Sequence, residues 1–187
     1  MKTAIIIHGM PSKEEYDAAP ERSGEHWYPW LKKELEVKGF EVQTPEMPVP
    51  YDPNYEKWKS TFEQFHIDED TVLSGHSCGG GFLLRWLSEH NTKVGQLILV
   101  APWIDPTGEL GQRNDFFDFE IDHNLVSKTV NGIIVFYSTD DDEVVLKSVD
   151  KIKATISDIK IREFTDKGHF TTGDGVSEFP ELLEEIK

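Results

Sequence analysis

Thr71-Val72-Leu73-Ser74-Gly75-His76-Ser77-Cys78-Gly79-Gly80-Gly81 joins a β-branched apolar run to the glycine-rich opening of a helical pattern. The helix is signalled downstream by Phe82, Leu83, Trp86 and Leu87, whose spacing gathers them on one face. Between strand and helix lies Gly75-x-Ser77-x-Gly79. A serine on such a sharp, strained turn is exposed above the sheet, and side chains at the flanking glycine positions would strike neighbouring backbone. The helix N-terminus beneath it offers free N–H groups and a positive dipole to a developing oxyanion. A bare pentapeptide of this kind arises by chance in roughly one chain in twenty. Its position at a strand–helix junction gives it weight, and Ser77 is the candidate nucleophile.

Working outward, five further short apolar runs resemble buried parallel strands: residues 4–7, 40–43, 96–100, 132–137 and 159–164, beside 71–74 itself. Helical spacing fills the intervals. Trp27, Trp30, Leu31 and Leu35 share one face, and Gly39 follows as a C-terminal cap. Phe179, Leu182, Leu183 and Ile186 form another such face. Strand and helix alternate throughout, so the expected fold is α/β: a doubly wound, mostly parallel six-stranded sheet in a single domain over residues 1–187. One interval, residues 103–128, breaks the rhythm and carries Phe116, Phe117 and Phe119 among acids. It is either a lid or pocket wall, or a surface loop fastened by its own aromatics.

A serine needs a base, and the base needs an orienting carboxylate. After the fifth run comes Ser138-Thr139-Asp140-Asp141-Asp142-Glu143, and after the sixth Asp166-Lys167-Gly168-His169-Phe170. Both lie where loops leave the C-terminal ends of strands, the edge at which open α/β sheets build their sites. The order Ser, acid, His is that of the α/β-hydrolase fold. Among seven histidines, His169 has the right strand and the right order. His26, His66, His90 and His123 read as surface or packing residues, and the His76 ring is expected to turn away from the Ser77 hydroxyl. Three adjacent aspartates cannot all face one imidazole, and composition does not choose among Asp140, Asp141 and Asp142. The oxyanion donors expected are the N–H of Cys78, directly after the nucleophile, and one from His8-Gly9-Met10-Pro11. Pro11 has no N–H, which leaves Gly9 or Met10, and Met10 is preferred. Cys78 itself is expected to be a buried structural thiol. His8 and Gly9, with Trp103, Phe116 and Phe117, are the candidate substrate-binding residues.

Composition bounds the function. A net charge of −16 argues against a phosphate-tracking surface and against anionic membranes, so neither nucleic acid nor membrane is an expected partner. No apolar run reaches the roughly twenty residues of a transmembrane helix. The N-terminal Met-Lys-Thr-Ala-Ile-Ile-Ile-His-Gly reads as a first strand and not a signal peptide, so a cytoplasmic location is expected. The single cysteine rules out an internal disulfide framework and a cysteine-rich zinc site. No dinucleotide, P-loop or zinc-protease motif occurs, and neither cofactor nor metal is expected.

With these residues in view, the chain resembles the retinoblastoma-binding protein 9-like serine hydrolases, a compact branch of the α/β hydrolases. The resemblance is carried by His26-Trp27-Tyr28-Pro29-Trp30-Leu31-Lys32-Lys33-Glu34-Leu35, Gly75-His76-Ser77, Ser138-Thr139-Asp140-Asp141 and Phe164-Thr165-Asp166-Lys167-Gly168-His169-Phe170. It implies Ser77 as nucleophile, His169 as base and Asp141 as acid, with Asp142 one register along as the alternative. It also implies a fold without a large cap domain. The family's Leu-x-Cys-x-Glu retinoblastoma-binding signature is absent, so that partner does not carry over. The expected function is a serine hydrolase, of carboxylesterase or related acyl-hydrolase type, acting on a small-molecule ester or amide through an acyl-enzyme. The alternative is a vestigial hydrolase fold serving as a protein-binding module.

Overall fold

The computed structural model describes residues 2–105 and 115–187. In chain order their elements are β1 (Thr3–Ile7), α1 (Lys13–Ala18), α2 (Tyr28–Val37), β2 (Glu41–Gln43), α3 (Tyr55–Phe62), β3 (Thr71–His76) and α4 (Cys78–Glu89). There follow β4 (Gln96–Val100), β5 (Ile133–Ser138), α5 (Glu143–Thr155), β6 (Lys160–Phe164) and α6 (Pro180–Glu185). All six expected strands form. They pair in the order β2-β1-β3-β4-β5-β6, and every pairing is parallel. The chain therefore steps from β1 out to β2 and returns to place β3 on the other side of β1. This reversal opens a crevice at the carboxyl ends of β1 and β3, where open α/β sheets bind ligands. Ile7 is in register with Gly75, so the loop after β1 and the turn after β3 leave the sheet side by side.

The period of two along each strand divides the core between the two faces. Ile5, Ile7, Leu73, Leu97, Leu99 and Val135 face one layer, which holds Trp58 and Phe62 of α3 and Phe82 and Leu83 of α4. Ala4, Ile6, Val72, Ile98 and Phe136 face the other, against Leu31 and Leu35 of α2 and Leu182 of α6. Helix α2 stops where the sequence says it should. Gly39 adopts φ +86°, the Gly39 N–H bonds to Glu36 O (3.0 Å) and the Phe40 N–H to Leu35 O (3.0 Å), which together form a Schellman cap.

The glycines of α4 mark backbone-to-backbone contact. A Cβ at Gly79 would lie 2.4 Å from His8 O and 2.5 Å from Ile7 O, so the helix rests directly on the end of β1. One at Gly75 would lie 2.6 Å from Gly79 O. Only a chain bare at both positions can turn this sharply from strand into helix. Among the described residues no helix is long and apolar enough to cross a membrane.

Candidate active site

Ser77 is the hinge between β3 and α4 and has φ 52°, ψ −122°, a backbone conformation a side-chain-bearing residue rarely adopts. It is held there at both ends. Its N–H donates to Val100 O (2.9 Å), and its carbonyl accepts from Gly81 N–H and Trp103 N–H (3.1 Å each). A Cβ at Gly9 would come within 3.1 Å of the Ser77 Cβ, so the loop after β1 lies against the serine itself. The Gly9 N–H is directed at the Tyr28 hydroxyl (3.4 Å). Met10 borders the cleft with Ser77. The Cys78 N–H, in the first turn of α4, has no carbonyl partner within the helix. The Cys78 side chain is fully buried and burial pushes its thiol pKa up, so it carries no thiolate at neutral pH.

The structure separates the three aspartates. Asp141 has a side chain only 1% exposed, with its carboxylate oxygens 2.9 and 3.0 Å from His169 Nδ1. Asp140 points elsewhere: its carboxylate accepts from the Ser138 hydroxyl and from Gly168 N–H (3.0 Å), tying the two loops together. Asp142 is exposed and stands at the N-terminus of α5. The loop carrying His169 is further fixed by Asp174, which accepts from His169 N–H (3.1 Å) and Thr171 N–H (3.0 Å). Gly168 (φ 48°) and Phe170 (φ 57°) supply its tight path, and the buried Phe170 ring stacks on Phe179. Ser77 and His169 line one cleft of about 340 Å³ with His8, Gly9 and Met10. No hydrogen bond joins the Ser77 hydroxyl to the imidazole among the described residues. Such contacts commonly tighten only when substrate is bound.

The same cleft is bordered by residues that sequence reasoning missed or assigned elsewhere: Arg22, Glu25, His26, Tyr28 and the turn from Thr171 to Gly173. His26, read above as a surface or packing residue, sits at this cleft and accepts from Thr172 N–H (3.2 Å). Apart from Tyr28, which opens α2, these residues lie on short turns with no hydrophobic period to reveal them. The one available signal was the density of ring side chains at His26-Trp27-Tyr28. His8 does border the cleft, but both its ring nitrogens are occupied. Nδ1 lies 2.8 Å from Gly9 O and Nε2 accepts from Met47 N–H (2.9 Å), so His8 shapes the loop instead of presenting a free nitrogen.

The aromatic interval is only partly a matter of the site. Residues 106–114 of it lie outside the described residues. Phe116 is a core residue and not a cleft wall. It is 1% exposed, packs edge-on against Trp58 (5.0 Å) and Tyr55 (6.3 Å), and its carbonyl accepts from Arg85 (2.9 Å). Trp103 and Phe117 pack on each other (5.1 Å) beside Gly81 and do not border the cleft that holds His169. The physical reason is that α3 presents Tyr55 and Trp58 to this segment and draws Phe116 inward. Phe116→Ala should therefore cost about 3–5 kcal/mol of stability. Urea unfolding measures that loss, and the variant's relative rates on short and long acyl esters should be unchanged. A changed selectivity at full stability would return Phe116 to the pocket wall.

Buried imidazoles also give the fold an acid limit. Burial first, and the neighbouring His169 second, hold His76 well below the ordinary pKa of 6.5; burial likewise lowers His8 and His26. Unfolded imidazoles take up protons near pH 6.5, while the folded ones stay neutral to lower pH. The unfolded state then binds more protons, so stability falls as pH drops through 6.5. His8 and His76 can each contribute a slope of at most about 1.4 kcal/mol per pH unit. Urea titrations at pH 7, 6 and 5 should show stability declining along that series. A flat series would mean that these rings are not held neutral.

Among the described residues, no group of three or more His, Cys, Asp or Glu side chains is arranged to hold a metal. Comparison with known proteins places the chain in context. The serine hydrolase family pattern matches residues 16–187. The chain is 32% identical over 184 residues to YdeN of Bacillus subtilis, covering 96% of this chain and 91% of that protein. It is also 32% identical over 164 residues to serine hydrolase RBBP9 of Rattus norvegicus, covering 86% and 84%. The solved structure of the B. subtilis ydeN product superposes with a TM-score of 0.82 at 28% identity, over 98% of this chain and 96% of that one. Est1E of Butyrivibrio proteoclasticus, with ferulic acid bound, shares the fold at 16% identity (TM-score 0.66), over 100% of this chain and 90% of that one. A matched family pattern across most of the chain, on an all-parallel α/β-hydrolase sheet, identifies this protein as a member of the serine hydrolase family that includes RBBP9.

Proposed function

We propose that the protein hydrolyses small carboxylic esters or amides through Ser77, His169 and Asp141, by way of an acyl-enzyme. The observation that carries the reading is the buried Asp141 carboxylate on His169 Nδ1, at 2.9 and 3.0 Å, in a loop that shares its cleft with the strained Ser77. A carboxylate accepts and does not donate, so the imidazole proton sits on Nδ1 and Nε2 is left as the base. His169 Nε2 takes the Ser77 hydroxyl proton while Oγ bonds to the substrate carbonyl carbon. The N–H groups of Cys78 and Met10 hold the resulting oxyanion. Collapse breaks the bond to the leaving alcohol or amine, which receives the proton from His169. Water then repeats the sequence on the acyl-enzyme and releases the acid. A cleft of about 340 Å³ with His, Arg, Glu and Thr on its walls supports short, polar substrates over long acyl chains.

The test is a fluorophosphonate probe together with a panel of p-nitrophenyl esters of increasing chain length. Labelling at Ser77, with rates that fall as the acyl chain lengthens, is the expected result. Absence of both labelling and turnover would overturn the reading and favour a binding role for the fold.

A further inference from the structure

His76 precedes the candidate nucleophile and borders the same cleft, yet it is only 2% exposed. Both ring nitrogens have partners: Nε2 lies 2.7 Å from the main-chain carbonyl of His169, and Nδ1 lies 2.6 Å from the Tyr28 hydroxyl. The chemistry of these partners fixes every proton. A carbonyl oxygen only accepts, so Nε2 carries the hydrogen and Nδ1 is a bare lone pair. Tyr28 must then donate to Nδ1, and its oxygen keeps a lone pair facing the Gly9 N–H at 3.4 Å. One directed relay runs from Gly9 N–H to Tyr28, from Tyr28 to His76, and from His76 to the carbonyl of His169. Its two ends are the loop after β1, which carries the second oxyanion donor, and the loop that carries the base.

Resting on the proposed role of Ser77 and His169, we infer that Tyr28 and His76 are positioning residues that lock the base loop to the oxyanion loop around the nucleophile. Two backbone donors of the base loop are held from outside it: Gly168 N–H by Asp140 and His169 N–H by Asp174. The His169 carbonyl is a further handle beside the imidazole, and among the described residues only His76 holds it. The rings of His76 and His169 lie 4.9 Å apart, so a shift of one displaces the other. Tyr28 is buried, and burial keeps its hydroxyl protonated as the relay requires. An apolar side chain in place of His76 would fill the space and leave both Tyr28 Oη and the His169 carbonyl without their partner.

Three variants separate positioning from packing. His76→Leu and Tyr28→Phe should lower kcat on a short ester by roughly 10²-fold, with KM nearly unchanged, because a small displacement of the base costs that much. His76→Gln keeps an amide donor where Nε2 stood and should recover most of the lost kcat. Thermal unfolding of all three establishes that they are folded. Equal kcat for the Gln and Leu variants, or a Leu variant as fast as the parent, overturns the inference. A second measurement does not depend on turnover. Long-range ¹⁵N–¹H correlations of the His76 ring should report the Nε2–H tautomer in the parent protein and also in Tyr28→Phe, where the His169 carbonyl still requires that hydrogen. An Nδ1–H tautomer in the parent would overturn the relay even in an active enzyme. A parent protein that hydrolyses no ester and leaves Ser77 unlabelled would instead overturn the proposed function.

Discussion

Ser77→Ala is expected to lower ester hydrolysis by roughly 10⁴-fold or more and to abolish fluorophosphonate labelling. The size follows from the absence of a substitute among the described residues. Cys78 is one helical step along, fully buried, with a thiol pKa raised by its surroundings. The Ser74 hydroxyl, inside β3, is buried without a partner and faces no base. Residual turnover would come only from water attacking a carbonyl already polarised by the oxyanion donors. The alanine variant should fold as the parent does, since the backbone bonds to Val100, Gly81 and Trp103 do not involve the hydroxyl. Ser77→Gly should be more stable by about 1 kcal/mol, because glycine adopts φ 52° without strain. Circular dichroism, unfolding and labelling of the three proteins decide the matter. Activity retained in Ser77→Ala and lost in Cys78→Ala would move the nucleophile.

The fold was legible because the four inner strands, buried on both faces, are written as near-continuous apolar runs. The edge strands β2 (Glu41-Val42-Gln43) and β6 (Lys160-Ile161-Arg162-Glu163-Phe164) mix charged residues into shorter apolar patterns. The turn at Ser77 was legible because its glycines answer backbone contacts of 2.4 to 2.6 Å that no other residue tolerates. Which of the three aspartates meets His169 was not legible from the residues alone. Asp140, Asp141 and Asp142 are chemically alike, and their separate directions are set by the turn that begins with Asp141 N–H bonding to Ser138 O at 3.2 Å. Such a turn has no compositional mark. The aromatic interval was misread at Phe116 for a related reason. A phenylalanine at the rim of a sheet looks the same whether it walls a cleft or plugs a core. The difference lies in Tyr55 and Trp58 of α3, a short helix whose apolar residues are separated by the charged Glu56, Lys57 and Lys59. The polar border of the cleft, from Arg22, Glu25 and His26 and from Thr171 to Gly173, comes from segments without period. Only three-dimensional proximity assembles it.

Asp141→Asn is expected to lower kcat by roughly 10⁴-fold, far beyond the effect of the same change at Asp140 or Asp142. The cause is a tautomer. The Asp141 carboxylate, 1% exposed, accepts from His169 Nδ1–H and so leaves Nε2 free to take a proton. An asparagine presents an N–H donor along with its oxygen, and a ring that accepts that N–H at Nδ1 carries its own hydrogen on Nε2, where it cannot act as base. The buried negative charge that balances imidazolium is lost as well. Asp140→Asn should be mild, within about tenfold in kcat, because the amide oxygen can still accept from Gly168 N–H and from Ser138. Asp142→Asn should be silent, since that side chain is exposed and asparagine serves equally well at a helix N-terminus. A pH profile adds a sharper reading: the Asp141 variant should recover rate with increasing hydroxide, as a base in the wrong tautomer gives way to solvent base. Equal, small effects at all three positions would exclude a Ser–His–Asp arrangement. A dominant effect at Asp142 would require the turn after Ser138 to rearrange, because in its present path only Asp141 reaches the ring.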